Sequence, residues 1–374
     1  MVARRTLSPR AWVRRLHLWL GLSLGALMVL AGITGALLVF YVEIDRALHP
    51  AVQVTGRAGP ADWDRAAATL HTAFPARTGP WRLELTAGAG AIPARYYHPA
   101  ERSGAGHAPL LAWLSPDGRR VLRVEFWGDG GMTWIYDLHY CLQLGPVGGT
   151  IFGWAGLALA VLLASGLWAW WPRGGWAKAL RMKPRAAPVR RLYDWHKLAG
   201  LAGAPLLLLL TLTGVMLALP QETGHLLRPV LGGAQDVPGQ IADGAPGTPD
   251  IAVSRAVALA QAVLPGARAV WIELPGQGQG AYRVRLAQAA DPSPRFPHSW
   301  AVIDRHGGAV LGLANVAQGG PMDVLLKWLH PLHDGSAAGL PLRMLVVAAG
   351  LVPAALYVTG LWRWWLRRRP ALRP

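Results

Sequence analysis

Four histidines stand at matched places in this chain, and their spacing points to metal or cofactor chemistry. His17-Leu18-Trp19-Leu20-Gly21-Leu22 returns as His196-Lys197-Leu198-Ala199-Gly200-Leu201, and each copy is followed at the same interval by Thr-Gly, Thr34-Gly35 and Thr213-Gly214. The shared offset of 179 residues also carries Glu43 onto Glu222 and Pro50 onto Pro229. A second pair matches too. His139 precedes Ser165-Gly166-Leu167-Trp168-Ala169-Trp170-Trp171 by 26 residues, and His333 precedes Thr359-Gly360-Leu361-Trp362-Arg363-Trp364-Trp365 by the same 26. A lone histidine at a membrane interface is commonly just an interfacial polar group. Four at two repeated offsets form a set, and ionisable groups in membrane segments are functional candidates by default.

The segments that carry them are hydrophobic. Residues 18–42, 138–172, 198–221 and 344–362 contain no charged side chain, in a chain that is 52% hydrophobic and 15% charged. Each run is long enough to cross a hydrocarbon core, which takes ~20 residues. Backbone polar groups must be satisfied inside lipid, so helices are expected, over about 16–42, 147–171, 195–219 and 340–365.

The net charge of +17 is a matter of topology, not of nucleic acid. Arg4, Arg5, Arg10, Arg14 and Arg15 precede the first run. Arg173, Lys178, Arg181, Lys183, Arg185, Arg190 and Arg191 lie between the second and third, and Arg363, Arg367, Arg368, Arg369 and Arg373 end the chain. These seventeen of the 37 basic residues accompany one acid, Asp194. Such clustering is the positive-inside pattern, with Trp-rich helix ends at the interface. It places both termini and the 173–194 loop in the cytoplasm. The first run is too long for a signal-peptide core and ends in no small-x-small site, so a retained anchor is expected. The single cysteine, Cys141, excludes an internal disulfide, and no Cys-x-x-Cys-His attaches a c-type haem.

The resulting plan is a membrane protein, mainly α, with four transmembrane helices in a duplicated two-helix arrangement. Residues 1–42 hold the cytoplasmic N-terminus and helix 1, 138–172 a lead-in and helix 2, and 173–194 the basic loop. Residues 195–219 are helix 3, and 331–374 a lead-in, helix 4 and the basic tail. Residues 43–137 and 220–330 are external. Each external region begins with helical apolar spacing, at residues 62–70 and 251–260. Short alternating strands follow, at 81–85 and 270–274, with turns at Asp117-Gly118 and His306-Gly307-Gly308. Two α+β modules are expected, each one helix on an antiparallel sheet, with linkers at 232–249 and 276–280.

Topology sorts the histidines into a cytoplasmic pair, His17 and His196, and an external pair, His139 and His333. A pseudo-twofold axis along the membrane normal, as in parallel repeats, would bring each pair to opposite sides of one point. Two facing imidazoles can hold one haem iron axially, in the core of a bundle. Two such haems, one near each face, would make an electron path across the membrane. Gly21, Gly25, Gly32 and Gly35, with Gly200, Gly203 and Gly214, supply small residues where backbones would approach the macrocycle. His330 competes with His333, though the match to His139 favours His333. His49 and His225, just outside helices 1 and 3, are further alternatives. His71, His98, His107, His298 and His306 are expected at the surface. Zinc or copper is the rival metal, but zinc gathers three or four ligands, and here histidines come in twos.

Other features are weaker. Arg14, Arg15, Arg190 and Arg191 could pair with haem propionates. Glu43 and Glu222 are expected to be structural. Trp127, Trp134 and Tyr136, leading into His139, could dock an aromatic or chelate ligand or could pack. No Ser-His-Asp set, phosphate loop, nicotinamide or flavin fingerprint is visible.

The histidine helices, the Ser/Thr-Gly-Leu-Trp-x-Trp-Trp endings and the duplicated α+β regions resemble the PepSY-associated transmembrane proteins over nearly the whole chain. These are bacterial inner-membrane proteins, often iron-regulated, that include ferrisiderophore reductases. The resemblance implies two periplasmic PepSY-like modules and His17, His139, His196 and His333 as ligands of two haem b groups. It also implies a haem-dependent enzyme reducing ferric siderophores or other Fe(III) chelates, fed by quinol or a cytoplasmic reductase. A cofactor-free PepSY regulator of peptidases or envelope signalling is one alternative, and a metal or haem transporter another.

Overall fold

The computed structural model describes residues 8–85, 89–104, 106–172, 174–236, 249–276, 280–293 and 295–368. Arg4, Arg5, Arg173, Arg369, Arg373 and most of both expected linkers lie outside the described residues. In chain order the helices are α1 (Pro9–Leu38), α2 (Tyr41–Leu48), α3 (Pro60–Ala73), α4 (Gly131–Cys141), α5 (Gly145–Trp170), α6 (Trp176–Leu180), α7 (Pro188–Ala218), α8 (Pro220–Leu231), α9 (Val253–Val263), α10 (Pro321–Asp334) and α11 (Gly339–Arg368). The strands are β1 (Trp81–Glu84), β2 (Ile92–Tyr96), β3 (Leu110–Leu114), β4 (Val121–Phe126), β5 (Arg268–Glu273), β6 (Tyr282–Ala287), β7 (Ser299–Ile303) and β8 (Val310–Ala314).

Four helices are long and apolar enough to cross a membrane: α1, α5, α7 and α11. Two of them start earlier than the uncharged runs suggest. Ser8 caps α1 with its hydroxyl ahead of Pro9, and α7 opens on Pro188. Proline suits the first helical position, where its missing N–H is no loss, so the arginine-bearing turns join the helices. The four form a ring in which α1 packs on α5 and α11, and α7 packs on the same two. Met28, Leu159, Leu162, Leu163, Leu207 and Ala349 fill its centre. α1 and α11 approach closely where a Cβ on Gly32 would strike the Gly350 carbonyl.

The helix ends are tied across the ring. Arg10 on α1 donates to the Ala169 and Trp171 carbonyls at the end of α5, at 3.0 and 2.8 Å. Arg343 on α11 donates to the Val39 carbonyl beyond α1 at 2.6 Å. These are the orphan carbonyls that every helix C-terminus exposes.

The second compact unit comprises Phe40–Asp137 and Gln221–Pro331. Two α+β modules were expected here, each one helix on its own antiparallel sheet. The strands instead form one antiparallel sheet of eight, in the order β4-β3-β2-β1-β5-β6-β7-β8. Each region folds as a four-stranded meander, and the two join where Leu83 on β1 pairs with Ile272 on β5. Pairing two edges satisfies backbone groups that a lone module would leave open. The core is shared as well: Leu70 on α3 and Val257 on α9 lie in one cluster with Leu83, Ile92, Ile272 and Val284.

Candidate functional site

His17 lies two turns into α1 and His196 two turns into α7, on helices diagonal in the ring. Their ring centres are 6.2 Å apart. The other two histidines lie in the lead-ins ahead of the long helices α5 and α11, each on a shorter helix of its own. His139 sits in the last turn of α4 and His333 in the last turn of α10. Short breaks follow, with Leu142 and Gln143 at positive φ after α4, and Gly335 at φ 79° after α10. A Cβ at Gly335 would come within 2.9 Å of the Arg343 backbone, so the reversal needs glycine. His139 and His333 then face each other with ring centres 6.2 Å apart.

Each imidazole is held by the Ser/Thr-Gly pair of a neighbouring helix. His17 Nδ1 lies 3.1 Å from the Leu162 carbonyl and 3.2 Å from the Ser165 hydroxyl. His196 Nδ1 lies 3.0 Å from the Leu356 carbonyl and 3.2 Å from Thr359 Oγ1. His139 Nδ1 is 2.9 Å from Thr34 Oγ1, and His333 Nδ1 is 3.0 Å from Thr213 Oγ1. All four hydroxyls donate their own proton to a carbonyl three or four residues back, so towards histidine they act as acceptors. Nδ1 therefore carries the hydrogen and Nε2 keeps its lone pair, the state in which histidine binds a metal. The adjoining glycine makes room for the ring. A Cβ would stand 2.8 Å from His17 Cε1 at Gly166, 3.0 Å from His139 at Gly35, 3.0 Å from His333 at Gly214 and 3.3 Å from His196 at Gly360.

The repeated Thr-Gly and Ser-Gly pairs were plain in the sequence, yet their role was not. A motif on one helix serves the histidine of its antiparallel neighbour, a relation that linear spacing hides. The remaining glycines divide. Gly21, Gly25 and Gly200 line a cavity, Gly25 beside Tyr357, whereas Gly32 packs on Gly350 and Gly203 on Val352. These last two serve helix–helix packing, not a cofactor surface.

The cavity, of about 1020 Å³, surrounds His17 and His196. Leucines such as Leu22, Leu162 and Leu201 wall it, and Arg14, Arg15, Arg190 and Arg363 stand on its lining. Arg191 does not contribute. Arg363, which the sequence reading used only for topology, has a buried Nε without a hydrogen-bond partner. On α7, Asp194 is fully buried and Lys197 almost so, 3.1 Å apart. Lys197 Nζ also donates to the Ala179 and Arg181 carbonyls, at 2.9 and 3.3 Å. That network pins the segment after α5 to α7.

These residues fit a haem. Two metal–imidazole bonds of about 2.0–2.1 Å, plus roughly 1.2 Å from each nitrogen to its ring centre, come to about 6.4 Å between centres. Both pairs are close to that value. An anionic macrocycle edge would satisfy the orphaned Arg363 nitrogen. Among the described residues no group of three or more His, Cys, Asp or Glu could hold a metal ion, so the rival zinc arrangement has no ligand set there.

The alternatives fall elsewhere. His330 stacks on Phe296, with ring centres 3.8 Å apart. His49 Nδ1 lies 2.7 Å from the Asp45 carbonyl, and His225 is exposed on α8. Glu43 and Glu222 occupy the first turns of α2 and α8, where a carboxylate favours the helix dipole. His298 is half-buried rather than superficial, and burial pushes it down to about 4. Trp127 is buried; it stacks on Tyr41, meets Tyr136 edge-on, and gives its indole N–H to Asp137 at 2.8 Å. Trp134 is the exposed member of the trio.

No curated protein matches the chain. The family described as PepSY-associated TM region matches residues 14–367, from just before His17 to just beyond the last Trp-Trp pair. With four membrane-spanning helices and this match over nearly its whole length, the chain is a multi-pass membrane protein that belongs to the PepSY-associated TM family.

Proposed function

We propose that this protein is a bis-histidine dihaem b-type electron-transfer protein of the bacterial inner membrane. It reduces Fe(III) chelates, ferric siderophores among them, on the periplasmic side in iron acquisition. The observation that carries the reading is the fourfold clasp, in which four imidazoles have Nδ1 committed and face one another in two pairs 6.2 Å apart. Bound haem would supply a reversible one-electron iron couple near each membrane face. His17 and His196 would hold one group, and His139 and His333 the other. Thr34, Ser165, Thr213 and Thr359 keep each ligand in its metal-binding tautomer and fix the ring's direction. Arg14, Arg15 and Arg363 place positive charge where propionates need it. The leucine walls exclude water and so help set the redox potential.

The positive-inside distribution places both termini and the 173–194 loop in the cytoplasm, and residues 43–137 and 220–330 in the periplasm. The 179-residue repeat makes the two halves equivalent, so duplication builds two two-ligand sites. With no nicotinamide or flavin fingerprint in the chain, the electrons come from quinol or a cytoplasmic reductase. The chelated Fe(III) takes one electron, and the Fe(II) formed is held less tightly and leaves. In an anaerobic mixing experiment, chemically reduced protein is expected to lose its reduced absorption band when a ferric chelate is added. Fe(II) trapped by a chromogenic chelator should appear at the same rate. A reduced band that persists in the presence of the chelate would refute the reductase reading.

A further inference from the structure

The eight-stranded sheet turns its apolar face to α3 and α9, and alternation along each strand sends a different set of residues to the other face. Two rows cross the centre of that face. Arg95, Arg82, Glu273 and Arg283 stand side by side on β2, β1, β5 and β6. The next row holds Glu84, Trp271, Arg285 and Trp300 on β1, β5, β6 and β7. Four arginines thus face two glutamates. Only Arg283 is ion-paired among the described residues, to Glu273 at 3.1 Å.

Several details count against a purely structural role. Arg82 stands directly across from Arg95, and like charges in that position weaken a sheet. The Arg82 guanidinium lies 3.2 Å from the centre of the Trp271 ring and that of Arg285 4.6 Å from it, with Arg285 also 4.3 Å from the Trp300 ring. Arg82 donates to the Tyr97 hydroxyl. Buried polar atoms here without a partner are Arg283 Nε, Arg285 Nε and Trp271 Nε1, all of them donors. Burial, and then the nearby Arg82, push the Arg285 guanidinium down to about 9. Half-buried positive charge held without acceptors costs stability. Local rules are broken in this way mainly where a ligand completes the site.

We infer that Arg82, Arg95 and Arg285, with Trp271 and Trp300, form a binding site for an anionic, carboxylate-bearing Fe(III) chelate. Guanidinium forks match carboxylates two bonds at a time, and the indole faces against which Arg82 and Arg285 lie hold those forks in place. The identity of the ligand rests on the electron-transfer function proposed above; the anion site does not.

The test is calorimetric titration of the full chain in detergent with gallium(III) citrate, which mimics the ferric chelate and cannot be reduced. Saturable binding is expected, weakened roughly tenfold in Arg285→Gln and in Arg82→Gln. It should also weaken at about 0.5 M salt, where exposed charges are screened. Arg228→Gln, on the exposed side of α8, should bind as wild type, and metal-free citrate more weakly than the gallium complex. The absorption spectrum of Arg285→Gln should equal that of wild type. Should Arg285→Gln melt early, Arg95→Gln gives the same comparison. Absent binding, equal affinity in the arginine variants, or equal affinity for metal-free citrate would each overturn the inference. Arginine-dependent gallium citrate binding by a protein that takes up no haem would leave this site standing and refute the electron-transfer function.

Discussion

Thr34 Oγ1 lies 2.9 Å from His139 Nδ1, on a hydroxyl whose own proton already goes to the Leu30 carbonyl at 2.7 Å. The hydroxyl can therefore only accept from histidine, and His139 is fixed as the tautomer with its hydrogen on Nδ1. The same holds for Thr213 and His333. Thr34→Val keeps the shape and removes the acceptor, so haem at the His139–His333 pair is expected to be lost roughly tenfold faster or more, the usual effect of removing a ligand's hydrogen-bond partner. Thr34→Ser should behave as wild type. The measurement is the rate of haem transfer to an acceptor protein, and an unchanged rate in Thr34→Val would show that the contact orients nothing.

Gly166→Ala tests the other half of the clasp. The new methyl would stand 2.8 Å from His17 Cε1, closer than real contacts allow, whereas at Gly360 it would stand 3.3 Å from His196. Gly166→Ala is expected to lower the haem-to-protein ratio to about half that of wild type, through loss at the His17–His196 pair alone, and Gly360→Ala to do less. Gly350→Ala, which forces α1 and α11 apart, should instead lower thermal stability with no preference between the two haems. A haemochrome assay beside a melting curve separates the two outcomes.

Much of this architecture was legible in the sequence because lipid imposes simple rules. Uncharged runs and clustered arginines gave the four spans, and two equal intervals paired the histidines. Three things were hidden. The union of β1 with β5 depends on edge pairing between regions far apart in the chain. Placing His139 on α4 and His333 on α10 depends on breaks at residues 142–145 and 335–339, where local turn conformations override a continuous apolar run. The role of Ser165 and Thr359 depends on antiparallel neighbours meeting, which no intrahelical period records. Trp127 shows the opposite limit: the sequence leaves the aromatic set beside His139 open between docking and packing, and Trp127 itself is buried against Tyr41 and Tyr136.

Asp194 and Lys197 make a buried ion pair that also holds the Ala179 and Arg181 carbonyls. Asp194 also pairs with Arg190, so removing Asp194 leaves the buried Lys197 charge without a counter-charge, a loss of about 3–5 kcal/mol in comparable pairs. Asp194→Asn is therefore expected to lower the melting temperature of the detergent-solubilised protein sharply, with Asp194→Leu combined with Lys197→Met recovering most of the loss. If Asp194→Asn melts as wild type, the pair does not anchor the loop.

The most direct test of the central claim is the haem content and absorption spectrum of the purified full chain, beside His17→Ala and His333→Ala. Two b-type haems per chain with low-spin bis-histidine spectra are expected in the wild type, and each variant should lose a different one. A wild type without a Soret band after expression with ample haem, or variants that keep both haems, would contradict it.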